Sequence, residues 1–223
     1  MCHKSCLDFV ANNLAYDEVQ GKDVIEVGSF DINGSPRSII MRYMPKSYLG
    51  VDIQSGNGVD LVCNAEDLMT HFNKSSFDVV VTTELLEHVV HWQNVISNLK
   101  QICKPGGIII ITTRSKGFIF HSYPYDYWRY EVEDMISIFA DCRIIKAEPD
   151  PESIGVFVKV QKPEDFDEKD LSDYKIFNIV CKRRINKFDY SFFNRINILL
   201  FLLKLKMKYF FLKLAGIFKI SQR

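Results

Sequence analysis

The chain has 223 residues, 47% of them hydrophobic and 25% charged, with 28 basic side chains against 28 acidic ones. This composition excludes a disordered chain, a collagen-like repeat and a disulfide-stapled miniprotein, and the length suits one globular domain with residues to spare. The neutral total hides a split: residues 1–180 carry 17 Lys and Arg against 27 Asp and Glu, whereas residues 181–223 carry 11 against 1.

At the N-terminus, Cys2, His3 and Cys6 stand close together, but no second ligand pair with zinc-like spacing follows. They read as free thiols near a frayed end, and no metal site is expected. The six cysteines include no C-x-x-C pair, and no apolar stretch follows Met1. Both features point to a reducing, cytoplasmic setting.

Apolar runs of strand length then alternate with helical stretches, the pattern of a parallel sheet flanked by helices. Strands are expected at Asp23–Val27, Ser47–Asp52, Gly58–Cys63, Phe77–Thr82, Gly107–Thr113, Cys142–Glu148 and Val156–Gln161, and helices at Pro36–Tyr43, Trp92–Cys103 and Glu131–Phe139. Lys100 and Lys104 suit the C-terminal dipole of the second helix, which Pro105-Gly106-Gly107 closes. The stretch Pro149–Gly155 is too short for a crossover helix, so the last two strands pair antiparallel. The expected fold is α/β: a Rossmann-like, doubly wound, mostly parallel seven-stranded sheet ending in an antiparallel hairpin. Residues 1–162 would form this domain, 163–180 an acidic linker and 181–223 a basic, apolar helical tail.

Ligands of such sheets bind outside the carboxyl ends of the strands. Glu26 closes the first strand and Gly28 lets backbone approach a ligand, but the loop lacks G-x-G-x-x-G spacing and a Walker lysine. Asp52 stands at the second strand tip, where a carboxylate accepts hydrogen bonds from a ribose diol. Asn64-Ala65-Glu66-Asp67 and Glu84 follow the next two strands. Plainer readings stand beside these: a tight turn at Gly28, and a helix N-terminus at Glu66 and Asp67. A ligand carrying an amine, a ribose and an adenine, without pyrophosphate, suits these acids better than a dinucleotide.

With Val24-Ile25-Glu26-Val27-Gly28-Ser29, Tyr48-Leu49-Gly50-Val51-Asp52, Asn64-Ala65-Glu66-Asp67, Glu84-Leu85-Leu86-Glu87-His88-Val89 and Lys104-Pro105-Gly106-Gly107 in order, residues 14–161 resemble the class I S-adenosylmethionine-dependent methyltransferases. The resemblance implies S-adenosyl-L-methionine as cofactor. Glu26, Gly28 and Ser29 would hold its methionine portion, Asp52 and Ile53 its ribose, and Ala65 and Glu66 its adenine, with Glu84 completing the crevice. The commonest family loop is E/D-x-G-x-G-x-G; here Phe30 and Ile32 take the later glycine positions and Gly34 arrives after Asn33. A variant loop of the G-S-x-D-V-N-G-S type is similar. A non-catalytic methyltransferase-like module is the rival reading that these substitutions raise.

Methyl transfer from a sulfonium needs positioning first, and a hydroxyl acceptor gains from a proton-accepting His. His88, His91 and His121 fall in loops at the predicted active edge, whereas His71 and His3 do not; His121 and His88 are the candidate bases. The aromatic segment His121–Tyr130 offers Tyr123, Tyr125, Tyr127, Trp128 and Arg129 as an acceptor wall for a small-molecule, saccharide or lipid-linked hydroxyl. Its alternative is packing of these rings against the following helix, with Asp126 and Arg129 as a surface pair. No Asn/Asp-Pro-Pro-aromatic motif follows the fourth strand, and the acidic body repels phosphate, which weighs against nucleic acid. The oligomeric state is left open.

In the tail the longest unbroken apolar run is Ile198–Leu203, far short of the roughly 18 to 20 residues that span a bilayer. Its lysines leave room for peripheral attachment to an anionic membrane inner face, for packing on the protein itself, or for nucleic acid.

Overall fold

The computed structural model describes residues 3–121, 125–188 and 199–208. Helices α1 (Lys4–Asn13) and α2 (Tyr16–Val19) precede β1 (Asp23–Val27), and α3 (Arg37–Ile40) leads to β2 (Ser47–Asp52) and the short β3 (Leu61–Val62). Then come α4 (Leu68–His71), β4 (Phe77–Thr83), α5 (Trp92–Ile102), β5 (Cys103–Arg114), β6 (Trp128–Arg129) and α6 (Val132–Ile138). The chain continues through β7 (Arg143–Pro149), β8 (Gly155–Gln161), β9 (Ile176–Asn178) and β10 (Arg183–Ile185).

Seven strands form one sheet in the order β3-β2-β1-β4-β5-β8-β7. The first five lie parallel, and β8 runs antiparallel to both β5 and β7, as the short Pro149–Gly155 connection requires. The order reverses at β1, which places the sheet's switch point between β1 and β4. Alternate residues of the central strands feed two cores. Ile25, Val80, Ile109 and Ile111 pack on one face with Trp92, Ile96 and Leu99 of α5. Val24, Val79, Val81, Ile108 and Ile110 pack on the other with Phe9 and Val10 of α1 and Ile40 of α3.

Several expectations change. The strand expected over Gly58–Cys63 shrinks to Leu61–Val62 because Asp60 accepts the Gly50 N–H through its side chain (2.7 Å) and pairs with Arg37. The cation at the end of α5 is Lys162, which donates to the carbonyls of Lys100 and Cys103 (2.8 Å each). Lys104 instead ties Asp78 and Asp23 together at the base of β4 and β1, and Lys100 is buried against Asp141 and the Ile138 carbonyl. Cys6 is not in a frayed end: α1 buries it, and its thiol reaches Glu84 at 3.6 Å.

The expected linker and the start of the tail return across the domain. A second sheet, in the order β10-β9-β6, is antiparallel throughout, and Leu171, Ile176 and Phe188 join the larger core. Asp134 of α6 holds Arg184 by an ion pair. Residues 199–208 are helical; Leu202 is buried and the Phe201 ring meets Phe120 at 5.7 Å. Residues 189–198 and 209–223 of the expected tail lie outside the described residues. No helix among the described residues is long and apolar enough to cross a membrane.

Because Ile176 is fully buried in β9, Ile176→Ala should destabilise the whole domain by about 2–4 kcal/mol in urea unfolding. A midpoint equal to that of the native chain would make 163–188 a detachable linker after all.

Candidate functional site

The loops after β1, β2, β3 and β4 meet at the carboxyl edge of the sheet and enclose a crevice of about 780 Å³, lined by residues that include Glu26, Gly28, Ser29, Asp52, Ile53, Ala65, Glu66 and Glu84. All eight expected cofactor positions therefore lie along one cavity, of a size that suits a nucleoside-bearing ligand. They do not serve it alike.

Glu26 is buried at its floor, where Ser35 donates to both carboxylate oxygens (3.2 and 3.0 Å) and the Tyr48 hydroxyl to one (2.5 Å). Burial pushes the Glu26 pKa up to about 7, against the pull of those hydrogen bonds. Gly28 adopts φ +84°, and a Cβ there would press on Leu85 at 3.2 Å, so the turn needs glycine for conformation and for space. The buried Ser29 hydroxyl has no hydrogen-bond partner among the described residues. Asp52 is oriented by the amides of Phe30 (3.2 Å) and Gln54 (3.0 Å), one on each oxygen. The Phe30 ring lies against Gly56, where any side chain would collide with it at 2.2 Å. That glycine accommodates the ring that replaces a family glycine. Ile53 is exposed at the rim and Ala65 is buried. Glu66 ties down the approach to α5, accepting from the amides of Val90 (3.1 Å) and His91 (3.0 Å) and meeting His91 Nδ1 at 2.7 Å.

The β4–α5 loop begins with Glu84 in the left-handed region at φ +55°. Its carboxylate is buried and paired with Arg114, which also meets Asp150 at 3.4 Å. Burial, reinforced by nearby Glu87, holds the Glu84 pKa well above the usual carboxylate range. Glu84 thus borders the crevice with its carboxylate already occupied, a narrower part than the sequence suggests.

Glu87, His88 and His121 converge beside it. Glu87 is fully buried; Thr113 Oγ1 donates to its Oε2 (2.8 Å), while Oε1 faces His88 Nε2 at 3.7 Å and His121 Nε2 at 3.8 Å. The other ring nitrogens are engaged, His88 Nδ1 with the Tyr125 carbonyl (2.5 Å) and His121 Nδ1 with Asp126 (3.0 Å). Burial lowers the His88 pKa, which keeps that ring neutral near pH 7. His88 and Tyr125 line the crevice itself. His3, placed away from the active edge by the sequence, in fact packs on Phe118 at 6.5 Å, and Phe118 on His121 at 5.1 Å.

The acceptor wall is reduced. Trp128 is buried, donating to the Val89 carbonyl (2.9 Å) and packing on Trp92, and Tyr127 packs on Phe188. Arg129 is buried in a fork with Asp126, donating through both terminal nitrogens, so the anticipated surface pair is an internal one. These three side chains answer to core packing rather than to the crevice. Tyr125, 62% exposed, remains on it, and Tyr123 lies outside the described residues. Sequence reasoning missed Glu87 and Arg114; the signal for the first was a second glutamate one helical turn after Glu84, directly before a histidine.

Among curated relatives, the ubiquinone biosynthesis O-methyltransferase of Idiomarina loihiensis is 29% identical over 123 residues, covering 49% of this chain and 49% of the relative. The enzyme of that name from Pasteurella multocida is 27% identical over 111 residues, covering 49% of this chain and 46% of its own. The chain thus spans about half the length of the curated relatives it matches. Among solved structures, the Burkholderia thailandensis 1,6-didemethyltoxoflavin-N1-methyltransferase with bound S-adenosylhomocysteine superposes with a TM-score of 0.55 at 11% identity, over 71% of this chain and 78% of that one. An S-adenosylmethionine-dependent methyltransferase from Mesorhizobium loti gives 0.51 at 16% identity, over 70% and 100%. At these identities the likeness is one of fold. The methyltransferase-domain family model matches residues 3–147, well over half the chain, and with the crevice at the switch point of this sheet the chain belongs to that family, the class I S-adenosylmethionine-dependent methyltransferases.

Proposed function

We propose that the chain transfers a methyl group from S-adenosyl-L-methionine to a hydroxyl of a small-molecule, saccharide or lipid-linked acceptor. The carrying observation is one crevice with Asp52 oriented at its β2 end and His88, backed by Glu87 and His121, at its β4 end. The residues fit the cofactor: the acidic lining suits a cation, the Gly28 turn leaves the backbone bare, and the unpartnered Ser29 hydroxyl lies at the crevice. When bound, the cofactor supplies an electrophilic methyl group on a positively charged sulfur. Asp52 accepts hydrogen bonds from the ribose hydroxyls, Glu26 faces the methionine ammonium, and Ala65 backs the adenine. At the other end His88, with Glu87 and His121 behind it, faces the acceptor hydroxyl, and Tyr125 borders the entrance.

An attached membrane surface is the location we infer for this reaction. In the helix over 199–208, Leu199, Leu200, Leu203 and Met207 are about half exposed. At about 100° per residue they fall within one quarter-turn or so of the helix, flanked by Lys204 and Lys206. An apolar stripe edged by lysine is suited to the headgroup layer of an anionic bilayer.

Three outcomes are expected. Asp52→Ala should weaken S-adenosylhomocysteine binding tenfold or more by calorimetry, about 1.4 kcal/mol, and unchanged affinity in a folded variant would remove Asp52 from the ribose. Because the ionised fraction of Glu26 grows as pH rises through about 7, affinity for the same ligand should increase between about pH 6 and pH 8. Glu26→Gln should flatten that rise, and parallel profiles would count against the ammonium contact. Finally, the exposed pair Leu200→Glu with Leu203→Glu should abolish flotation with anionic vesicles; retained flotation would discard the membrane assignment.

A further inference from the structure

Glu87, His88 and His121 bring one carboxylate oxygen and two imidazole Nε2 atoms together. The Tyr125 carbonyl can only accept, so His88 Nδ1 carries the hydrogen of the 2.5 Å contact and Nε2 is the nitrogen left to ligate. Asp126 accepts from both terminal nitrogens of Arg129, so His121 Nδ1 donates to it as well (3.0 Å), leaving Nε2 as the nitrogen free to ligate. Both Nε2 atoms then face Glu87 Oε1, a buried oxygen with no hydrogen-bond donor among the described residues. Three ligand atoms, one from each residue, lie within 4.8 Å of one another. A carboxylate oxygen and two imidazole nitrogens converging in this way make a donor set that a cation can join. Donors around a divalent ion at about 2.1 Å stand roughly 3.0–3.4 Å apart, so the 3.7 and 3.8 Å separations from Glu87 would have to close by roughly 0.3–0.8 Å, with the two rings drawing together as well.

We propose that Glu87, His88 and His121 form a binding site for one divalent first-row metal ion, at the acceptor end of the crevice. Two imidazoles and one carboxylate are the donor set that such ions take when they keep open positions for water or substrate. The outer contacts are those a metal-binding histidine requires, a carbonyl behind one ring and an arginine-clamped carboxylate behind the other, each fixing the tautomer. Thr113 anchors the remaining Glu87 oxygen. This recasts His88 and His121, which the sequence offers as proton acceptors, as ligands. It rests on the methyl-transfer reading only for its purpose: an ion here would hold the acceptor oxygen and lower the pKa of its hydroxyl. In the balanced step, the hydroxyl proton passes to solvent water, the oxygen forms the new bond to the methyl carbon, and the C–S bond pair stays on sulfur as the thioether.

The test uses the intact chain after chelation and dialysis, titrated with Mn2+ and followed by electron paramagnetic resonance, with S-adenosylhomocysteine affinity measured in parallel by calorimetry. One tight Mn2+ per chain is expected, weakened at least tenfold by Glu87→Gln and by His121→Ala and unchanged by His71→Ala, which alters an exposed histidine on α4. Asp52→Ala should retain Mn2+ while losing the nucleoside ligand, so the failure of one reading is distinguishable from failure of the other. Absence of a stoichiometric site in the native chain, with S-adenosylhomocysteine still bound, would overturn the proposal without relying on any variant. Equal Mn2+ binding by the native chain and by folded Glu87→Gln and His121→Ala variants would overturn it too.

Discussion

Arg114 is the residue on which the active edge depends. It sits fully buried at the end of β5 and pairs with Glu84 at the end of β4 and with Asp150 in the turn between β7 and β8. Three strand ends are thereby fixed by one guanidinium in a place where water cannot substitute for it. Its plane also lies over Phe118, 4.5 Å from the ring centre, and Phe118 borders His121. Loss of the cation would leave two buried carboxyls without the charged partner they share, a situation that costs several kcal/mol even with the hydrogen bonds from Thr112 and the Glu152 amide retained. The left-handed turn at Glu84, from which Glu87 and His88 are presented, is held from the same point.

The sheet was legible because its signals are local. Strand-length apolar runs, the short Pro149–Gly155 connection and acids at strand tips are each contained within a few residues, and β1 and β2 end where the sequence ends them. What was not legible depends on distant partners. Trp128 and Arg129 looked like an exposed wall because their segment lacks periodicity; only the folded chain brings the Val89 carbonyl and the Phe118 and Ile119 carbonyls to them. The second sheet has strands of two or three residues, below the length at which alternation can be read. Lys162 caps a helix that ends sixty residues earlier, so no inspection of that helix could find it.

The two halves of the crevice solve opposite electrostatic problems. At the β1 and β2 loops stand the carboxylates that we propose receive the cofactor's hydroxyls and positive charge, and Asp52 is held by backbone amides that leave lone pairs free. After β4 and before β6, acidic groups are packed so deeply that each leans on an internal partner: Arg114 for Glu84, Arg129 for Asp126, and Thr113 for one oxygen of Glu87. The same residue types thus act as recognition groups in one place and as framework in another, and burial decides which.

The position of β8 sets the order in which the chain can be completed. In β5 the run Ile108-Ile109-Ile110-Ile111 pairs with β4 on one side and with β8, some fifty residues later, on the other. As the polypeptide leaves the ribosome, that isoleucine-rich strand can join β4 at once but presents an unpaired edge until residues 155–161 arrive. Four consecutive β-branched residues with an open ladder are a template for association between nascent chains. The late hairpin is therefore a guard as well as a pair of strands, and translation that stalls before it leaves the stickiest segment of the domain uncovered.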